Sequence, residues 1–299
     1  MKFSDIIEQA KALLQRQGRL TYRSLKREFD QEDEALEDLY SVNLEEHYND
    51  LAHHYSRSGN TEKAVQYLRL AGQQAVLRSA YTEAVSHLTL ALALLKMLPD
   101  TVERVRQELM LQIILGMSFS ASSYAVPEVE RVYTRARELC QQLGDLPQLC
   151  RMLRGLWLSY FSRAEYKTAY DMARQFLDVA QQLQDPILLL GAHEGIALSL
   201  FWSAEWEAAR KHYEQGIPLY DPRKHHTYAS LYEADLGVWS LVQAAQVLWS
   251  LGYQDQALYK SREALSFAHE HAHPFSLAWV LCCVAWLHQC RQELSESQK

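Results

Sequence analysis

The chain is short of the residues that interrupt helices. It has 7 prolines and 11 glycines among 299 residues. That excludes loop-rich or collagen-like architectures and leaves room for long helices joined by short turns. Its 5 cysteines (Cys140, Cys150, Cys282, Cys283, Cys290) are odd in number and form no CxxC pair. They read as reduced, buried thiols of a cytoplasmic protein. Positive charge is not in excess: the net charge is −7, which argues against bulk nucleic-acid binding. The longest apolar run, Phe275 to Leu287, is 13 residues and is broken only by Ser276. A bilayer span needs about 20, so no membrane association is expected. The opening MKFSDIIEQAKALL carries acids inside its apolar stretch, unlike a signal peptide. Also missing are a nucleophile–base pair and a spaced carboxylate dyad; acids and bases fall on solvated helix faces.

What the chain has instead is a recurring spacing. A small residue is followed about twelve positions later by Ala, then by an aromatic or Leu four further on, then by Ala three beyond. Leu51-Ala52, Tyr55, Ala64, Leu68 and Ala71 show it, and Ala244-Ala245, Leu248, Ala257 and Ala264 show it again. Small residues at fixed positions let two helices of a hairpin approach closely, and bulky ones fill the space left between them. One such hairpin cannot bury its apolar face alone, so hairpins stack. With 48% hydrophobic residues a large core is available. The spacing predicts an all-α fold: a tetratricopeptide-repeat-like (TPR-like) α-solenoid, a right-handed superhelix of helical hairpins.

Residues 43–299 are expected to form about six hairpins and an unpaired last helix. The first turns at Ser58-Gly59-Asn60; its second helix runs from Thr61 to about Arg78, and Tyr81 to Leu98 follows. The third has Leu115-Gly116 and Phe119, then a long loop from Ser120 to Val126, then Val129, Tyr133 and Ala136. The fourth, fifth and sixth are indexed by Ala169, Ala209 and Ala257, spaced 40 and 48 apart. Regular repeats of this kind have about 34 residues, so the superhelix should be irregular. Residues 1–42 read separately, as a small three-helix segment like a helix-turn-helix. Its second helix offers Arg23, Lys26 and Arg27. Its third carries Glu32, Asp33, Glu34, Glu37 and Asp38, which would repel phosphates in a major groove.

The stretches LAHHYSRSGNTEKAVQYLRLAGQQA, RSAYTEAVSHLTLALALLKMLPDTVERVRQELMLQ, PEVERVYTRARELCQQLGD and QGIPLYDPRKHH carry a resemblance. They are similar to the C-terminal TPR array of large bacterial signalling proteins that join a class III adenylate/guanylate cyclase domain, an AAA-type ATPase domain and such an array. The N-terminal FSDIIEQAKALLQRQGRLTYRSLKREFDQEDEALEDL resembles the segment preceding the cyclase domain there. The two pieces meet near Val42–Leu44. No GxxxxGK[ST] phosphate loop, paired metal-binding aspartates or strand-rich segment lies anywhere, so the family's catalytic residues have no positions here. The resemblance therefore implies a relative with both enzymatic modules deleted, one that stops before the family's array would end. It implies no catalytic activity and no cofactor.

Counting from the reference alanines, groove-lining positions of the first helix of each hairpin fall on Arg151, Arg154, Leu158, Phe161 and Ser162. In the next hairpin they are Gly191, Glu194, Leu198, Phe201 and Trp202, and in the last Trp239, Val242, Gln246, Trp249 and Ser250. Arg154 suits bidentate capture of a carboxylate, and Phe161, Trp202, Trp239 and Trp249 suit an apolar anchor. The alternative is that these aromatics pack between hairpins. His269 and His273 stand at i, i+4, a metal-ligand spacing, yet Pro274 follows and no third ligand is evident; a solvated helix end fits them better. Cys282, Cys283 and Cys290, with His288 nearby, could be imagined as a thiol site, but the cysteines read better as buried small thiols. His53-His54 reads as a surface and groove pair. The last helix should expose Trp279, Val280, Cys283 and Trp286 unless something covers them, and so favour a homo-oligomer.

These readings predict a non-enzymatic scaffold or sensor that binds a protein or peptide in the TPR groove, linked by resemblance to cyclase/ATPase signalling. The alternatives are a regulatory fragment or subunit of an adenylate cyclase/ATPase, and a transcriptional regulator using its N-terminal helices.

Overall fold

The computed structural model describes residues 43–221, 235–271 and 274–292, and all of the regular structure among them is helical. There are twelve α-helices among the described residues. The three-helix expectation for residues 1–42 and the position of His273 lie outside them. The chain divides into two compact units, residues 1–118 and 119–299.

In unit 1 a 3-10 turn, Leu44–His47, leads into α1 (Tyr48–Ser58), α2 (Thr61–Leu77), α3 (Tyr81–Leu95) and α4 (Val102–Ser120), whose last turn carries the unit boundary. Gly59 ends α1 in the left-handed region at φ 90°, which no Cβ opposes. Asn60 then caps α2, its side chain accepting from the Lys63 amide at 3.2 Å. The predicted small and bulky positions do meet: Leu51, Ala52, Tyr55, Ala64, Leu68 and Ala71 are all buried. Tyr55 stacks on Tyr67 with centroids 5.4 Å apart. His54 is also buried, edge-on to Tyr55. This corrects its reading as a surface residue: it sits one position before Tyr55, on the face α1 turns to its neighbours. His53 is exposed.

Unit 2 contains α5 (Pro127–Leu143), α6 (Leu146–Ser162), α7 (Tyr166–Leu183), α8 (Pro186–Trp202), α9 (Trp206–Gly216), α10 (Leu236–Ser250), α11 (Gln254–His271) and α12 (Pro274–Cys290). Each packs on the next. In addition α6 packs on α8, α8 on α10, and α10 on α12, so the first helices of successive hairpins form a layer of their own. Their starts are written in the sequence. Asp145, Asp185 and Asp235 cap α6, α8 and α10 with side-chain oxygens on the first-turn amides. Pro127, Pro147 and Pro186 occupy first-turn positions, where a missing N–H costs nothing.

Closeness within unit 2 is set by side chains that are absent. A Cβ at Gly155 of α6 would lie 2.7 Å from the Tyr133 ring of α5, and one at Gly237 of α10 would lie 2.4 Å from Tyr220. Around that second contact the Tyr220 hydroxyl donates to Asp235 at 2.6 Å, and the Asp235 amide donates to Ser276 of α12 at 2.9 Å. Asp235 thus ties the start of α10 to both flanks, to Tyr220 through its carboxylate and to α12 through its main-chain N–H.

The last helix corrects the sequence reading. Val280 and Cys283 are buried in a cluster with Val238, Leu241 and Val242 of α10 and Ala264 and Ala268 of α11. A helix apolar on every side has no preferred face until neighbours select one. Trp279 and Trp286 stay 40% and 38% exposed. Cys282 and Cys290 are exposed as well, so only Cys140, Cys150 and Cys283 are buried thiols.

Five described positions hold a non-glycine residue at positive φ: Ser79, Ala164, Gln184, Ala204 and Gln292. Ala164 and Ala204, both exposed, hold φ at 60° and 62° after α6 and α8, a region that costs L-residues roughly 1 kcal/mol or more. Gly144 and Gly252 serve equivalent turns elsewhere. Ala164→Gly and Ala204→Gly are each expected to stabilise the protein by about 0.5–1 kcal/mol. Thermal unfolding of the single and double variants checks this; lowered midpoints would contradict the left-handed turns.

Candidate functional site

The face shared by α6, α8 and α10 is assembled from side chains that cross between hairpins. Trp157 of α6 donates its indole N–H to Ser199 of α8 at 3.0 Å, and the Ser199 hydroxyl donates to the Gly195 carbonyl at 2.8 Å. Gly195 lets this happen, since a Cβ there would lie 3.3 Å from Trp157 and Ala173. From Trp157 a row of rings continues through Phe161, Tyr166, Trp202 and Phe201, with centroids 5.5–6.1 Å apart. Further along, Tyr213 of α9 donates to the side chain of Gln243 of α10 at 2.6 Å. Trp239 of α10 stacks on Trp279 of α12 with centroids 5.3 Å apart.

The expected groove residues fall into three groups. Arg151, Ser162 and Trp202 are exposed, Trp202 by 56%. Arg154, Leu158, Phe161, Leu198, Phe201, Trp239, Gln246, Trp249 and Ser250 are half-buried. Gly191, Glu194 and Val242 are buried, which removes Gly191 and Val242 from any contact surface because each packs on its neighbours. Phe161 and Trp202 join one ring row. Trp249 packs beside Leu248, Ala257 and Leu287, and Trp239 on Trp279. Each of these aromatics packs on a neighbour and keeps some accessible surface.

Burial sets the charge of this face. Glu194 is 2% exposed, and burial pushes its carboxyl up to about 7 against the opposing pull of the Arg154 guanidinium. Its ionisation therefore costs stability as pH rises from the usual carboxylate range through about 7. Cys140 and Cys150 are pushed up to about 12 by burial, so they are neutral, unreactive thiols.

Sequence reasoning missed two features. His193 of α8 and His212 of α9 face each other with Nδ1 atoms 3.0 Å apart. Nineteen positions apart in sequence, they meet only because α8 and α9 form a hairpin whose Gly216 packs at His193. Among the described residues no three His, Cys, Asp or Glu side chains group as metal ligands. The second is a cleft of about 290 Å³ lined by Arg210, Tyr213, Ile217, Ala244, Leu248 and Lys260. Its rim charges are already paired, Arg210 with Glu214 at 2.7 Å and Lys260 with Glu263 at 2.8 Å.

No protein-family model matches this chain, and no curated protein matches it in sequence. Its fold recurs among solved structures. The apo form of RapI is 12% identical with a TM-score of 0.60, over 78% of this chain and 93% of that one. NprR in complex with its cognate peptide NprX is 14% identical with a TM-score of 0.54, over 99% and 80%. A signal transduction ATPase with numerous domains (STAND) from Pyrococcus horikoshii, with a tetratricopeptide repeat sensor, is 13% identical with a TM-score of 0.55, over 89% and 40%. At these identities the likeness establishes the fold: a TPR-like α-solenoid. No helix among the described residues is long and apolar enough to cross a membrane.

The histidine pair yields a pH prediction. Burial, then the His193 and Arg174 charges, push His212 down to about 4 from the usual 6.5, and burial also lowers His193. The unfolded chain binds protons there that the folded chain refuses, so this contribution to stability is lost as pH falls from about 6.5 toward about 4. His212→Gln is expected to flatten that limb of the stability profile. Urea midpoints measured across this range check it; an unchanged slope would contradict the pairing.

Proposed function

We propose that this chain is a non-enzymatic interaction module that binds a peptide or protein segment along the face shared by α6, α8 and α10. The observation that carries the reading is the direct packing of α6 on α8 and α8 on α10. It brings three helices side by side, and Arg151, Arg154, Phe161, Phe201, Trp202 and Gln246, which the repeat count assigns to one face, all keep accessible surface. Aromatic and arginine side chains are the residue types that concentrate binding energy at interfaces. A recurrent fold is compatible with many functions, so the site argues here and the fold only permits it. NprR, which has a similar fold, was solved with its cognate peptide, which is consistent with peptide binding by such a scaffold.

A synthetic octapeptide array tests the proposal. Arg154→Ala and Trp202→Ala are each expected to weaken the captured peptides by about tenfold or more, a loss of at least about 1.4 kcal/mol. Unchanged capture by variants that keep the wild-type circular dichroism would place the binding face elsewhere.

A second reading makes the module a sensor arm of a cyclase/ATPase signalling system in the bacterial cytoplasm. It is supported by the sequence resemblance and by the similar fold in an ATPase that carries a TPR sensor. In either reading the chain does no chemistry: the purified protein is expected to hydrolyse no ATP above background. Turnover that follows the protein through purification would overturn it.

A further inference from the structure

The helices α9 and α11, second members of successive hairpins, both pack on α10. Between them lies the cleft of about 290 Å³, close to the size of a small-molecule site. Its apolar wall is Ile217 and Pro218, from the 3-10 turn that ends α9, with Ala244 and Leu248 of α10. Tyr213 adds ring carbon, because its hydroxyl is committed to Gln243 at 2.6 Å. A second hollow of about 320 Å³ shares Leu248, Gln256 and Lys260 as walls and adds Asp255 and Tyr259.

The cations of the cleft have donors to spare. Arg210 gives its Nε–H to Glu214 at 2.7 Å, and the N–H groups of its two terminal nitrogens meet no acceptor among the described residues. Lys260 gives one of its three N–H groups to Glu263 at 2.8 Å. The Gln256 side chain lines the same cleft and is exposed. Both ion pairs join residues three or four apart on one helix, with Glu214 58% exposed. Pairs of this kind contribute little, so each acid is an exchangeable partner. A carboxylate that reaches the guanidinium through two parallel hydrogen bonds, partly shielded from water by an apolar wall, is held more strongly.

We propose that this cleft binds a small amphipathic carboxylic acid, with its apolar body on Ile217, Ala244 and Leu248 and its carboxylate taken by Arg210 and Lys260. Each half of such a ligand has a counterpart here: carbon at the wall and uncommitted charged donors at the rim. The proposal is independent of the peptide reading, since none of these residues belongs to the positions assigned to the peptide face.

The test titrates the full chain with octanoate, octanamide and octylamine, which share a body and differ in head group, followed by calorimetry near neutral pH. Octanoate is expected to bind about tenfold or more tightly than octanamide, the margin a charged hydrogen-bonded head group has over a neutral one. Octylamine, which Glu214 and Asp255 would favour, is expected to bind more weakly than either. Arg210→Gln and Lys260→Gln are each expected to remove most of the advantage of octanoate and to leave octanamide unchanged. Gln256→Trp, at an exposed position, is expected to fill the mouth and abolish binding while the thermal midpoint holds. Equal affinity for acid and amide, tighter binding of the amine, or an acid advantage that survives in the Arg210→Gln/Lys260→Gln double variant would overturn the proposal. Octanoate bound by Gln256→Trp as by the wild type would put the acid on another surface and overturn it too, as would failure of all three ligands to bind at millimolar concentration. Should Gln256→Trp not fold, the Arg210 and Lys260 variants decide.

Discussion

Helix–helix distance in this protein is governed by missing side chains. Gly155 faces the Tyr133 ring, Gly195 faces Trp157, Gly216 faces His193 and Gly237 faces Tyr220, each where a Cβ would lie within 3.3 Å of its neighbour. Ala169, Ala173, Ala209, Ala257 and Ala264 do the same work with one carbon and are essentially inaccessible. Tight interfaces of this kind are felt by a single added methyl group. They also explain why large rings are tolerated in the same layers: Gly155, Gly195 and Gly237 each leave the slot into which a ring fits.

The candidate site is a consequence of that packing. Because α6, α8 and α10 touch in succession, segments about 40 to 48 residues apart in sequence lie side by side. The same closeness buries Glu194. A looser array would solvate that carboxylate and leave it ionised at neutral pH.

Much of the architecture is legible in the sequence because it is carried by local chemistry. Capping aspartates, first-turn prolines and small residues at repeat spacing mark helices whether or not the partner is known. The hairpins indexed by Ala169, Ala209 and Ala257 follow from them. What is not legible depends on neighbours. The repeat code treats Arg154 and Glu194 alike, as groove positions, while their burial differs because Glu194 sits in the middle helix with layers on both sides. The apolar α12 has no polar side to reveal its orientation, so the burial of Val280 and Cys283 and the exposure of Trp279 and Trp286 were set by α10 and α11. The left-handed turns at Ala164 and Ala204 carry no glycine to announce them.

The tryptophans offer the most direct measurement of the central claim. Trp202 and Trp239 lie on the proposed face, on α8 and α10, whereas Trp206 opens α9 and Trp286 lies near the end of α12. Indole N–H signals of the ¹⁵N-labelled protein, followed while the tightest peptide from the octapeptide array is added, report on all four at once. The account predicts that Trp202 and Trp239 shift with the same saturation curve while Trp206 and Trp286 stay in place. Shifts confined to Trp206 or Trp286 would put the ligand on another surface and contradict it.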